Sequence, residues 1–283
     1  MRSVAIIGAG IVGASLALEL ATSSAGVAEI TRRATAARAT GLQARVVDPS
    51  DAEEVLPAFV DISQVIAAAY FEDDGAAEVK QLHHTIWQQG VEHGARFLSG
   101  HEVLGINRRG QGYVLSTTGD NELEVDDIVL AGGVWGPSLA AMVDLDLPLF
   151  PVAHPYVYAR HDDAMKPGPI IRWPEHHVYA RVHQDRLGIG SYDHTPILVD
   201  QESLANGAGI PWTEAFEPAI AAAQLLLRRE ARFSPDRRIN GVFAMTPDNL
   251  PFLGHTQQWM ESGSPRQSGS LSQPVPQRHS LQP

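Results

Sequence analysis

A short apolar run, three closely spaced glycines and an Ala/Leu-rich stretch, all between Val4 and Leu20, constrain this chain more than any other feature. Val4, Ala5, Ile6 and Ile7 read as a strand covered on both faces. Gly8, Gly10 and Gly13 then give G-x-G-x-x-G, and the residues up to Leu20 read as a helix. In that setting the first glycine permits a tight turn. The second lets a pyrophosphate approach the backbone, and the third lets the helix pack close to the strand. The free N–H groups and positive dipole end of the helix favour a phosphate. The alternative is a glycine turn with no ligand. The apolar strand before it and the helix after it favour dinucleotide binding.

With 283 residues the chain has room for one large domain or two moderate ones. Its net charge of -12 disfavours a general nucleic-acid-binding role. It has no cysteine, which excludes disulfides, thiolate metal sites and cysteine nucleophiles. Its 12 histidines include the pairs His83-His84 and His176-His177, whose members point apart on a strand or helix, and no metal site is expected. No apolar run is long enough to span a bilayer, so the expectation is a soluble, cytoplasmic protein.

The pattern along the chain predicts two kinds of structure. Val27–Ile30 reads as a very short strand, with Arg32 and Arg33 standing where a ribose-binding acid is usually sought. They suggest either a ribose 2′-phosphate site or an exposed helix turn. Asp51 is placed to cap a helix over 52–59, Val65–Phe71 reads as a strand, and 76–92 as a helix with Val79, Leu82, Ile86 and Trp87 on one face. Short strands are expected at 95–98 and 102–107, a hairpin at 113–125, a buried strand at 127–130 and a helix at 135–143. After Pro148 successive strands at 149–160, 170–173, 177–183 and 187–191 suggest an antiparallel sheet. Thr213 is placed to cap a helix over 214–229, and 240–245 reads as a final strand. The polar, Ser/Pro/Gln-rich residues 259–283 read as a disordered tail.

Several separated pieces occur in a telling order: IIGAGIVGAS, DDG before a helix, Gly94-Ala95-Arg96-Phe97 with Val103, IVLAGGVW and TPDNLPFLG. Together they resemble the flavin-dependent amine oxidoreductases of the D-amino-acid oxidase superfamily. PVAHPYVYAR and RLGIGSYDHTPILVD resemble the dimethylglycine oxidase and sarcosine dehydrogenase group. The resemblance implies an α/β (α+β overall) chain, with a Rossmann-like FAD-binding module and a mostly antiparallel substrate-binding sheet. The FAD module would be discontinuous, over 1–45, 76–147 and 236–258, with 46–75 and 148–235 forming the substrate module. It implies FAD as cofactor, held by Gly8, Gly10, Gly13, Val103, Ala131, Gly132, Gly133, Trp135 and Pro247. His154 and Tyr192 would face the amine as catalytic residues, with Tyr156 a weaker candidate on the same strand face as His154. A histidine titrates in the useful range and can accept a proton or orient the amine, and a tyrosine hydroxyl can fix an amine or a carboxylate.

The chain departs from that family in two places. The segment that supplies the second strand, the ribose acid and the histidine linked covalently to FAD has no counterpart here, and after TPDNLPFLG the sequence turns polar. The expectation is an internally deleted, C-terminally shortened member that holds FAD weakly. The implied activity is oxidation of an N-methyl or secondary amino acid, with hydride passing to FAD and then to oxygen or an electron-transfer protein. The alternatives are an NAD(P)-dependent oxidoreductase, or a non-catalytic fragment that binds a partner.

Overall fold

The computed structural model describes residues 3–7, 26–48, 50–119, 121–204 and 210–254. The chain divides into two compact units. The first holds 1–79, 153–197 and 209–241, and the second 80–152, 198–208 and 242–283.

The first unit is built on an eight-stranded sheet. Its strands are β1 (Ser3–Ile7), β2 (Ala44–Val47), β3 (Val65–Phe71), β7 (Phe150–Tyr158), β8 (Ile171–Trp173), β9 (Val178–His183), β10 (Arg186–Ser191) and β11 (Arg237–Met245). Their order across the sheet is β11-β7-β10-β9-β8-β1-β3-β2. β1 and β3 run parallel, whereas β2–β3, β1–β8, β8–β9, β9–β10 and β10–β7 are antiparallel. Antiparallel neighbours need only tight turns between them, which suits the short links from β8 to β10.

Helices cover both faces of this sheet. Helix α1 (Gly26–Ala39) sets Ile30, Ala34 and Ala37 against Ala44, Ala69 and Phe71. On the other face Ala68, Val157, Ile171, Trp173, Val178, Ala180, Leu187 and Ile189 join one core with Leu56, Phe59, Val60, Ile220, Ala223 and Leu227. The last group comes from around the short helix α2 (Ala52–Val55) and from α5 (Glu217–Gln224) and its exit. The chain leaves α5 early because Leu227 turns away to bridge Val60, and the Arg228 N–H donates to the Phe59 carbonyl.

The second unit contains helix α3 (Val79–Glu92), whose first residue belongs to the first unit, and a three-stranded antiparallel sheet. The strands are β4 (Val103–Arg109), β5 (Gly112–Thr117) and β6 (Asn121–Val125), followed by α4 (Gly136–Ala141). Ile106 and Val114 are buried, as are Ala140 and Val143.

The structure corrects several readings of local pattern. Val27–Ile30 is helical: Ile30, Ala34 and Ala37 recur with helical spacing, and all three are buried. Arg33 is enclosed within that helix, so the exposed turn is realised at Arg32 alone. Asp51 precedes α2 but makes no side-chain cap, and the helix stops after four residues, ahead of Pro57. Residues 95–98 and 127–130 form no strand. An apolar run becomes a strand only where a neighbouring strand takes up its backbone groups, and among the described residues none pairs with either segment. Val129 is accordingly 89% exposed. The strand Ala44–Val47 had no clear signal in the sequence. It is only four residues long and pairs β3 at the edge of the sheet.

Candidate active site

The core-facing residues of β7 to β10 fix what the opposite face presents. Because side chains alternate along a strand, burying Val157, Ile171, Trp173, Val178, Ala180, Val182, Leu187 and Ile189 turns another set away from the core. That set is His154, Tyr156 and Tyr158 of β7, Arg172 of β8, and Tyr179, Arg181 and His183 of β9. Between β7 and β9 runs β10, which offers only Gly188 and Gly190 on this face. Gly190 lies opposite both Tyr156 and Tyr179. A Cβ there would stand 2.6 Å from Tyr179 Cζ and 2.7 Å from Tyr156 Cδ2. A Cβ on Gly188 would stand 2.5 Å from the Tyr156 hydroxyl. The two glycines therefore form a trough over which aromatic rings from both neighbouring strands lie flat.

His154 is 4% exposed, and its ring centroid is 4.3 Å from that of Tyr192, just beyond β10. The two residues expected to face the amine are thus adjacent. Tyr179 stacks on His154 at 5.7 Å, and its hydroxyl lies 2.8 Å from His154 Nε2. Tyr156 stacks on the other side of Tyr179 at 5.5 Å, and its hydroxyl lies 2.8 Å from His183 Nε2. The Arg172 guanidinium sits over the Tyr179 ring, 5.2 Å from its centroid, and hydrogen-bonds Tyr192. Arg172 Nε is buried and has no hydrogen-bond acceptor. Tyr192 is 40% exposed, so the cluster is open to solvent at that ring.

Electrostatics follow from this burial. Desolvation first, then the positive influence of His194 and Arg172, hold His154 down to about 3. Its imidazole is neutral at physiological pH. A neutral imidazole can hydrogen-bond within the cluster, as His154 Nε2 does with the Tyr179 hydroxyl. Burial, then the Arg181 charge, lowers His183 to about 4. Burial raises the phenols of Tyr156, Tyr179 and Tyr192, so all three keep their protons.

Tyr179 and Arg172 were not singled out by motif. Strand alternation carries the signal: in Ile171-Arg172-Trp173 and Val178-Tyr179-Ala180, two buried apolar residues flank a polar one, and the two polar residues are register partners.

The residues implied to hold FAD are distributed differently. Gly8, Gly10 and Gly13 lie outside the described residues. Val103 opens β4 and is half-buried. Exposed Ala131 and half-buried Gly132 sit in a loop that leads into a 3-10 turn, Gly133–Trp135. A Cβ on Gly132 would crowd the end of the Leu139 side chain on α4, which would have to shift. Gly133 has a φ of +53, with nothing within 4 Å of where a Cβ would stand. Beside this open backbone, Val129, Leu130 and Trp135 expose apolar side chains. A flat ring system that hydrogen-bonds backbone along one edge fits such a segment. Pro247 lies in an exposed turn. Among the described residues, no group of His, Asp or Glu is arranged to hold a metal ion.

Comparison with known proteins places the chain. Residues 22–267 match the family described as DAO, FAD dependent oxidoreductase. Mouse mitochondrial sarcosine dehydrogenase is 22% identical over 252 residues, which is 85% of this chain and 27% of that protein. Human mitochondrial dimethylglycine dehydrogenase is 24% identical over 254 residues, 85% of this chain and 29% of that protein. The chain thus spans less than a third of these curated relatives. Among solved structures, L-proline dehydrogenase from P. horikoshii superposes with a TM-score of 0.64 at 18% identity, covering 90% of this chain and 63% of that one.

Proposed function

Because the chain belongs to the DAO family of FAD-dependent oxidoreductases, we propose that it takes part in oxidation of an N-methyl or secondary amino acid of the sarcosine or dimethylglycine type. The observation that carries this reading is the cluster of His154, Tyr179, Tyr192 and Arg172 on one face of the antiparallel sheet. When bound, FAD supplies the hydride acceptor. Gly133 and Trp135, with Val103, Ala131, Gly132 and Pro247, are the described residues proposed to hold it.

The protein's own groups prepare the amine. Only the neutral amine has the lone pair that drives loss of hydride from the adjacent carbon. A buried setting and the Arg172 charge both oppose an ammonium ion, so they favour the reactive form. His154, kept neutral, can hydrogen-bond the amine without adding a charge. The protonated Tyr192 phenol can donate to a substrate oxygen or to the amine nitrogen. The aromatic floor of Tyr156 and Tyr179 keeps water from that side of the substrate.

The test is a visible spectrum of the folded chain, purified without flavin and then reconstituted with FAD. Anaerobic addition of sarcosine or dimethylglycine is expected to bleach the flavin band. A folded chain that stays colourless after reconstitution would defeat the reading. It would favour a partner-dependent fragment, for which the exposed apolar side chains of the second unit are the motive.

A further inference from the structure

We propose that Gln201 is a positioning residue for the flavin: its side chain clamps the glycine turn at 132–135 in the shape that receives the cofactor's ring system. This rests on the FAD-dependent reading above. The turn and its exit hold Gly132, Gly133 and Gly136, the residue type that loses most freedom on being fixed. Gly133 keeps a φ of +53, with nothing within 4 Å of where a Cβ would stand to brace it. The turn's own backbone bonds are short-range: the Trp135 N–H donates to the Gly132 carbonyl, and the Gly136 N–H to the Gly133 carbonyl. A segment built this way samples several shapes unless something else holds it. A ligand that needs one of those shapes binds in proportion to its population.

The hold comes from a distant part of the chain. Gln201 opens a second 3-10 turn, Gln201–Leu204, and is half-buried. Its Nε2 donates to the Val134 carbonyl at 3.1 Å, and its Oε1 accepts from the Ser138 hydroxyl of α4 at 2.8 Å. A carbonyl only accepts, so the amide has one orientation here, with its NH2 on Val134 and its oxygen on Ser138. One side chain thus ties the middle of the glycine turn to the helix that follows it. Its own base is fixed on both sides. Leu204 is 0% exposed, the Val199 N–H donates to the Pro151 carbonyl, and Leu198 bridges Val152. All of these residues belong to the second unit.

Two readouts on the same variants test this. In the flavin-free chain, Gln201→Ala should quicken hydrogen exchange at the Trp135 and Gly136 amides. On reconstitution it should weaken FAD binding, followed by quenching of flavin fluorescence, about 10-fold, the size of two lost hydrogen bonds. Gln201→Glu has the same length and keeps the acceptor for Ser138, but a carboxylate cannot donate to Val134. It should do no better than alanine, whereas a side chain that mattered only for its bulk would be rescued by it. Ser138→Ala removes half of the clamp. It should weaken FAD binding by a smaller factor, about 3-fold, and it provides the reading if the Gln201 variants do not fold. Wild-type affinity in a folded Gln201→Ala chain, rescue by Gln201→Glu, or unchanged exchange at Trp135 and Gly136 would each overturn the proposal and leave the FAD reading standing. A folded wild-type chain that binds no FAD would defeat that reading itself, and with it the purpose assigned to Gln201.

Discussion

The two units treat their large apolar residues in opposite ways. In the first, Trp173 is 1% exposed and stands in a core that takes residues from β3, β7 to β10 and α5. In the second, α3 carries an apolar stripe of Leu82, Ile86 and Trp87, yet no residue of the helix is buried. Ile86 is 59% exposed, and Val129 and Leu130 lie open in a segment that pairs with nothing in its own unit. Both patterns are amphipathic in sequence. Amphipathicity states that a face seeks cover, and only a second complementary surface turns that demand into stability. The first unit supplies both surfaces from its own chain. Within the described residues the second unit supplies one.

That contrast is sharpest at the two tryptophans. Trp173→Ala removes a side chain enclosed on all sides and is expected to cost about 3–5 kcal/mol, enough to unfold much of the first unit. Trp87→Ala, at a ring 39% exposed that stands against His84 and Phe97, is expected to cost under about 1 kcal/mol. Urea denaturation followed by far-UV circular dichroism measures both. Equal losses for the two variants would show that the helix stripe is covered after all.

The first unit also conceals a pH dependence. The histidines whose titration is lowered, His154, His176 and His183, all belong to it. An unfolded histidine takes up its proton as pH falls past about 6.5. Folded His154 does so only near 3. Its contribution is therefore complete above pH 6.5 and is lost progressively as pH falls towards 3. Between pH 7 and pH 4 the loss from His154 should be on the order of 3 kcal/mol. Urea midpoints of the wild-type chain should drop across that window, and His154→Gln should flatten the drop. An identical slope in both proteins would mean that His154 is accessible to protons in the folded chain.

Legibility in the sequence tracked how local each determinant was. The strands from Val65–Phe71 to Arg186–Ser191 were read within a residue or two, because alternation and turn residues write them out locally. The supposed strand at 127–130 had the right composition, but a strand needs a neighbour to pair with, and among the described residues none pairs with it. His154 and Tyr192 came from resemblance to a family. Their closeness, 4.3 Å between ring centroids, is a tertiary fact, as is the crossing of Tyr156 and Tyr179 over β10 that Gly188 and Gly190 allow. Arg172 escaped notice because an isolated arginine in a short strand carries no motif. Its meaning came from a register partner, Tyr179, and from an Nε that the fold leaves without an acceptor. Helix α1 was misread because four residues, Val27–Ile30, were taken without the period that continues through Ala34 and Ala37.

The smallest expected effect tests the other side of the comparison. Ile86→Gln exchanges an exposed β-branched side chain for an unbranched polar one that favours helix. Its own helix gains slightly, and no buried contact is lost, because α3 buries none of its residues. The stability change should lie within about 0.5 kcal/mol of zero. The same substitution removes apolar surface from a stripe shared with Leu82, so the variant should self-associate less than the wild-type chain in sedimentation velocity at equal concentration. A stability loss above about 2 kcal/mol would be the size expected for emptying a packed site. It would show that α3 is covered in solution and that the units differ less than their exposure implies. An unchanged stability with reduced association would leave the contrast standing: one unit holds its apolar residues within itself, and the other presents them outward.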